Sequence, residues 1–543
     1  MHAFHGSLII LLMVFTSLGS VSASELNKSL FSLNRVNNLS EDVLIEAANG
    51  LDDAVMDIVS LDVNLSVLEK GSYQNQIRDD VRLVGQQFEI SLPGYNKIFS
   101  LKVDTLNTNK FGVDTYVGDI SNKYEHFFVF TVKDDVLTGS INIDQNLFII
   151  NSHRAKNNLS YSLTWYDQRY FDKNHNLNDT SSSEPEKYYL SAHNNPALKH
   201  VEPLNNYHIV RTLFYFGSDV SNPYQLASNV INRMNLALYN SGIPVTYFFT
   251  ISDIVILSSD FGTKCRKQML TDMNQGFNEF SNIFNKRTTT KSDIVISVAK
   301  GDVNINTCSI YFTGRFGGQA ELGLKANKPN ATFADNWALA DDTAVHEIGH
   351  VLNGLHTHIV AGDPQPTHNN QGITTITYIS PDLNIAPHEG EQSIMGGYQV
   401  QYCDAAFSSN PINQDCPRKL SFSNQRPLND FVNFTHTFSD GTFIGAPDRN
   451  NATYFTQTAI PTVADYRNDP APPTSAPSLS ITSQQCYGLN DLNWNSISNA
   501  TFYIVYKSFD YNFPSHQRFY IGLDNDLLIN VPSHNIRYYR VKA

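Results

Sequence analysis

The chemistry in this chain is concentrated in one stretch, "HEIGHVLNGLH", from His346 to His356. Positions four apart share one face of a helix, so His346 and His350 can offer two imidazoles to a single ion. Glu347 is offset from that face. It can reach a water on the ion rather than the ion itself, as general base and then as proton donor to a leaving amine. Zinc suits this set: it lowers the pKa of a bound water towards about 7 and polarises a scissile carbonyl. His356 lies beyond the reach of a straight helix, so the chain must turn sharply after about Leu352. Such a turn needs a residue at positive φ, which glycine adopts freely and asparagine next best. Asn353 stands at that position and Gly354 follows it. The expected metal ligands are therefore His346, His350 and His356, the expected catalytic residue is Glu347, and the expected cofactor is Zn2+. His358 fits no such offset and reads as a loop or cleft residue.

These side chains need a helix and a floor. In "DDTAVHEIGHVLNGLH", Asp341 or Asp342 can cap a helix that carries the histidines. Val345, Ile348 and Leu352 fall on other faces and can pack inward, while Gly349 leaves room beside the metal face. Downstream, "EQSIMGGYQ" places Met395 in a tight turn, where it can form an apolar floor beneath the imidazoles. A lone methionine is usually core filler, and order and distance give this one its meaning.

At these residues the sequence resembles the metzincin clan of zinc endopeptidases, whose pattern is HExxHxxGxxH followed by a Met-turn. The resemblance implies His346, His350 and His356 as zinc ligands, Glu347 as acid/base and Met395 as the Met-turn residue. Asn353 departs from the clan glycine. "NLALYNSGIPVTYFF", "CSIYF", "CPRKLSFSN" and "GAPDRNNATYFTQTAIPTVADYR" resemble bacterial reprolysin-like peptidases, including the peptidyl-Asp metalloendopeptidases. "VLTGSINIDQNLFII" resembles their propeptides, and the likeness runs from about Val81 to Arg467. Some clan members use a tyrosine two residues after the methionine. Here that position is Gly397, with Tyr398 one later, so the role is not carried over. Many such prosegments block zinc with a cysteine. This one has none, which leaves a carboxylate such as Asp114 or Asp119 as a substitute, against the plainer reading of both as turn residues.

The surrounding chain divides at two linkers. "NDTSSSEPEKYYLSAHNNPALKH" (178–200) is polar and weakly patterned. "RNDPAPPTSAPS" (467–478) is rich in Pro, Ala and Ser and stays extended. Before the first linker, "FFVFTVKDDVLTGSINIDQNLFIINS" reads as three strands with turns at Lys133–Asp135 and Asp144–Asn146. Between the linkers, "HIVRTLFYF", a helix opening at Asn222-Pro223, "PVTYFFTISDIVIL", a second helix and "DIVISVA" alternate. That order implies an α/β domain with a mostly parallel sheet plus the zinc-binding active-site helix. The first helix carries Leu226, Val230, Met234 and Leu238 at helical spacing. Met269, Met273, Phe277, Phe280 and Phe284 read as one core stripe of the second. After the second linker the pattern is β. With Trp494, Tyr503, Tyr506 and "YYRVKA", it resembles a fibronectin type III-like, β-sandwich-like module that stops short of a last edge strand. The expected plan is a signal peptide (1–23), a β-rich propeptide (24–200), a metzincin-like zinc peptidase domain (201–467), a linker (468–478) and the small module (479–543).

Composition sets the outer bounds. A chain of 543 residues exceeds one ordinary core. A formal net charge of -14 lacks the basic footprint that nucleic acid requires. The start, "MHAFHGSLIILLMVFTSLGSVSAS", has an apolar run from Leu8 to Phe15 and "VSA" before Ser24. This is a signal-peptide pattern despite the missing Lys or Arg, and the run falls short of the roughly 20 residues of a membrane span. Export then favours disulfides among the five cysteines: Cys403 with Cys416 and Cys265 with Cys308, leaving Cys486; five free thiols are the alternative. The combined reading is a secreted zinc metalloendopeptidase, made as a zymogen, that acts on protein or peptide substrates. The competing class is a catalytically inactive zinc-containing adhesin, with the tail binding a surface or protein. The intact Glu347 argues against it, because a structural site closes its fourth position with another protein ligand. His356 argues against zinc hydrolases that use a distant glutamate as third ligand.

Overall fold

The structure is a computed structural model of the chain. It describes residues 10–11, 29–34, 54–65, 68, 83–84, 87–121, 123–143, 146–155, 158–168, 207–261, 264, 266–301, 318–321, 324, 327–336, 338–354, 374–375, 391–392, 394–395, 420–422, 451–467, 475–484, 489–498, 500, 503–508, 517–522, 526–530 and 538–543.

The front of the chain is a run of strands: β1 (Ile10–Leu11), β2 (Phe31–Asn34), β3 (Val55–Val63), β4 (Leu83–Val84), β5 (Gln87–Ser91), β6 (Ile98–Thr108), β7 (Asp114–Ile120), β8 (Lys123–Lys133), β9 (Val136–Ile143), β10 (Asn146–Ala155) and β11 (Asn158–Asp167). From β6 to β11 neighbours pair antiparallel in sequence order. The β8–β9 hairpin turns through Asp134 and Asp135, both at positive φ (49° and 60°). That is the two-residue geometry whose twist matches the strands, and aspartate tolerates it. In β7 and β8 both faces are buried, and alternate residues go to different cores. Tyr116, Phe128 and Phe130 point into the front body, while Val117, Phe127 and Val129 join the core of the next body.

That next body is built from β12 (His208–Phe216), α1 (Pro223–Asn240), β13 (Tyr247–Ile256), α2 (Arg266–Gln275), α3 (Ile283–Thr289), β14 (Ile294–Ala299), β15 (Gly318–Ala320), β16 (Asn330–Ala334) and α4 (Thr343–Val351). Its five-stranded sheet runs β13-β12-β14-β16-β15, with four parallel strands and β15 antiparallel on the edge. Buried strands such as "IVISVA" are apolar throughout because both faces are covered. Pro223 opens α1 as its fixed φ favours. Asn222 adopts φ 50° and makes no side-chain cap; its amide instead donates to Ser152 Oγ at 3.1 Å. The second-helix stripe is broken. Gly276, at φ 66°, ends α2, and the chain continues as a 3-10 turn and then α3. Met269, Met273 and Phe280 stay buried, whereas Phe277 and Phe284 are exposed.

Helix α1 carries an unusual face. Gln225, Ser228, Asn229, Asn232, Arg233 and Asn235 are all buried. Much of that face meets the front body. Thr115 and Ser228 share a hydroxyl contact of 2.7 Å, Asn229 donates to Val129 O at 3.4 Å, and Asn107 bonds Asn232.

After the short pair β17 (Thr374–Thr375) and β18 (Glu391–Gln392), the C-terminal strands are β19 (Leu479–Gln484), β20 (Leu489–Trp494), β21 (Tyr503–Ser508), β22 (Gln517–Gly522), β23 (Asp526–Asn530) and β24 (Tyr538–Lys542). Among the described residues they form no sheet of their own. β24, β21 and β22 extend the front sheet beside β6, and β19, β20 and β23 form a second sheet with β4. The front of the chain thus supplies strand neighbours to the C-terminal segment. Among the described residues, no helix is long and apolar enough to cross a membrane.

Candidate metal centre

Helix α4 forms where the sequence places it, and every residue of it is buried. Asp342 sits at its N-cap position at φ 52° without a side-chain cap, because its carboxylate turns to Arg233. Arg233 Nε donates to Asp342 Oδ1 at 2.9 Å, and its Nη1 reaches Ser140 Oγ at 2.8 Å and Asn142 Oδ1 at 3.0 Å. One buried guanidinium therefore joins the front sheet, α1 and the start of the histidine helix. It is a charged pair that must stay matched, since either partner alone would be a buried charge.

His346 and His350 lie side by side, with ring centroids 4.6 Å apart and planes at 86°. Each ring is held by a backbone carbonyl. His346 Nδ1 donates to Ile394 O at 2.6 Å, and His350 Nδ1 donates to Gly354 O at 2.8 Å. In a neutral imidazole, a proton fixed on Nδ1 puts the lone pair on Nε2, the arrangement a metal-ligating histidine needs.

The helix ends in a paired-bond C-cap. Asn353 N–H donates to His350 O at 2.7 Å and Gly354 N–H to Gly349 O at 2.8 Å, with Asn353 at φ 61°. This is the Schellman geometry with asparagine in the left-handed position. The chain therefore leaves the helix axis immediately after the second histidine. His356, the expected third ligand, lies outside the described residues, as do His358, Tyr398 and all five cysteines with their expected pairings. No group of three His, Cys, Asp or Glu side chains assembles among the described residues.

Met395 lies under the helix and is fully buried. A Cβ on Gly349 would fall 2.4 Å from its Sδ and 3.1 Å from Phe422, so only glycine lets the turn approach this closely. The turn is itself tied back. Ile394 N–H donates to Ser421 O at 2.9 Å, Phe422 N–H to Ser241 Oγ at 2.7 Å, and Asn240 Nδ2 to Leu420 O at 2.9 Å. The short strap 420–422 thus links the end of α1 to the carbonyl that orients His346. Residue-by-residue reading missed this strap, although it falls in the "CPRKLSFSN" segment.

Glu347 meets the edge strand. A Cβ on Gly318 would lie 2.5 Å from Glu347 Cγ and 2.7 Å from Oε1. Gly318 is therefore the notch that admits the glutamate, a second role the sequence did not reveal. The proposed blocking carboxylates are engaged inside the front sheet. Asp114 Oδ1 accepts from Thr108 Oγ1 at 2.9 Å, and Asp119 lies 3.8 Å from Lys102 Nζ.

The donor chemistry fits a metal ion: two imidazoles with carbonyl-fixed tautomers stand side by side, with a carboxylate one residue from the first.

No family model matches this sequence, and no curated protein matches it. Among solved structures the chain is similar to metalloproteinase-II from Bacteroides fragilis, at 10% identity over 50% of this chain and 82% of that one, with a TM-score of 0.33. Superposition at this level does not define a shared fold, and the chemistry rests on the side chains themselves.

Proposed function

We propose that this chain is a zinc-dependent endopeptidase, exported by its N-terminal segment and made with the front body as its propeptide. The observation that carries the reading is the pair His346 and His350, each with Nδ1 committed to a carbonyl, a tautomer that suits Nε2 to metal ligation. His346, His350 and His356 would hold the metal. When bound, the ion supplies Lewis acidity to a carbonyl and lowers the pKa of a water. The rest falls to this chain. The Glu347 carboxylate, set by the Gly318 notch, takes the proton of the attacking water and returns it to the leaving amine. Met395 and Phe422 exclude water from beneath the imidazoles. Asn353 turns the backbone so that His356 can approach. The edge strand β15 lies beside Glu347 and fixes the position of its side chain.

The test is zinc content together with casein or gelatin hydrolysis, with and without chelator. Wild type should bind zinc and cleave, while Glu347→Ala should keep zinc and lose cleavage. Substantial cleavage by Glu347→Ala would refute the mechanism. Zinc without cleavage in the wild type would favour the inactive adhesin.

A further inference from the structure

The two ends of the chain fold against each other. β22 runs parallel to β6, with Tyr520 opposite Leu106 and Ile521 opposite Asn107. β23 runs parallel to β4, with Leu528 opposite Leu83 and Ile529 opposite Val84. One edge of β6 is taken by β7. On the other, β5 covers residues 98–102 and β22 takes up the edge beyond. A core lies behind this pairing: Trp494, Val505 and Tyr520 share one buried cluster with Phe88, Leu101 and Leu106. The Trp494 ring lies 6.1 Å from that of Tyr520, tilted to it, and meets that of Tyr503 edge-on at 5.9 Å.

The same C-terminal strands also touch the body that carries the histidines. Ile504 and Tyr506 pack on Phe248, the Tyr506 ring lies 6.4 Å from that of Tyr207, and Lys542 Nζ stands 4.4 Å over the Tyr207 ring. This contact is narrow beside the shared sheet and core at the front.

We propose that the front segment (29–168) and the C-terminal segment (475–543) are one β body into which the histidine-bearing body is inserted. A cut in the 178–200 linker would therefore not free the front segment. It would remain clasped by strands that follow the catalytic body, and it would part from that body only in company with the tail, after a second cut in 468–478. Main-chain pairing and a common apolar core hold the two ends together, as when a strand from elsewhere completes a sheet. The front segment contains no cysteine, so its retention is non-covalent.

The experiment uses the full chain with two different protease sites engineered into 178–200 and 468–478, in reducing buffer so that Cys486 cannot tether the tail. Native mass and size exclusion read the products. After the first cut the front fragment should travel with the remainder, and after both cuts front and tail fragments should appear in the same species. A front fragment running alone after the first cut, or a tail fragment running alone after the second, would overturn the proposal. Tyr207→Ala removes the ring under Lys542. If the tail then leaves after the second cut, the narrow contact was the holder and the proposal fails; continued retention with the front fragment supports it. The readout is mass, so the result stands apart from whether the site is a peptidase.

Discussion

Asn353 Nδ2 donates to Tyr454 Oη at 3.0 Å, tying the C-cap of the histidine helix to the helical segment α5 (Asn451–Tyr454). Burial raises the Tyr454 pKa and the asparagine bond opposes it, so the phenol stays protonated near neutral pH. The asparagine is thus more than a tolerated substitute for glycine: it supplies the positive φ and a tether together. Asn353→Gly should keep the turn and lose the tether, costing about 1 kcal/mol. Asn353→Ala should cost roughly 1 kcal/mol more, because alanine must also adopt φ 61°. Urea unfolding of both variants measures this. Equal losses would remove the argument from backbone geometry.

Gly318→Ala should disable the site without unfolding it. The added methyl meets Glu347 at 2.5 Å, and the carboxylate must move. A displacement of about 1 Å at a catalytic group can cost about 100-fold in rate. We expect kcat to fall to that extent with zinc content and melting temperature retained. Unchanged kcat would mean that the glutamate is not set by this contact.

Arg233 offers a test of the seam. Arg233→Met leaves the Asp342 carboxylate buried without its guanidinium, a loss of about 3–5 kcal/mol. Adding Asp342→Asn removes that charge while keeping a side chain suited to φ 52°. The double variant should be more stable than the Arg233→Met single variant in chemical denaturation. If it is less stable, charge burial is not what the pair guards against.

Lys542 predicts a pH dependence. Burial, then Arg540, lowers its pKa to about 8 from the ordinary 10.5. Between these values the unfolded chain binds the extra proton, so this group makes stability rise with pH across that window. Tyr207, whose pKa is pushed above its ordinary 10.0 by burial and then by Tyr506, opposes the trend from about 10 upward. Melting temperature should therefore climb more between pH 8 and 10 in wild type than in Lys542→Gln. Parallel profiles would show that the amine is not strained there.

The local part of the site was legible because it is written at helical spacing. His346, Glu347, His350 and the turn at Asn353 fall within one motif, and Met395 stands in a second short one downstream, "EQSIMGGYQ". Gly318, the strap 420–422 and the Arg233–Asp342 pair were not, since each depends on a contact between segments far apart in sequence. A clue was present in "QLASNVINRMN", where polar residues recur every three or four positions on a helix that must also carry a core stripe. It was read only for its apolar half. Phe277 and Phe284 leave the core for the opposite reason: the helical period does not run through Gly276, whose positive φ breaks the helix, although Phe280 stays buried. The tail reads as a separate module because strand pattern shows which residues pair, not which partner they take.

The polar face of α1 has a consequence for what kind of joint the molecule contains. On the histidine-bearing side, Val117, Phe127 and Val129 of the front sheet join the core, and beside them the seam carries amides, hydroxyls and one guanidinium. Water can replace those partners one for one, and such a surface is soluble when bared. At the other seam, Trp494 and Tyr520 are sealed against Phe88 and Leu106, and water has nothing to offer them. The first joint can exchange part of its contacts with solvent, and the second is sealed by rings that solvent cannot replace.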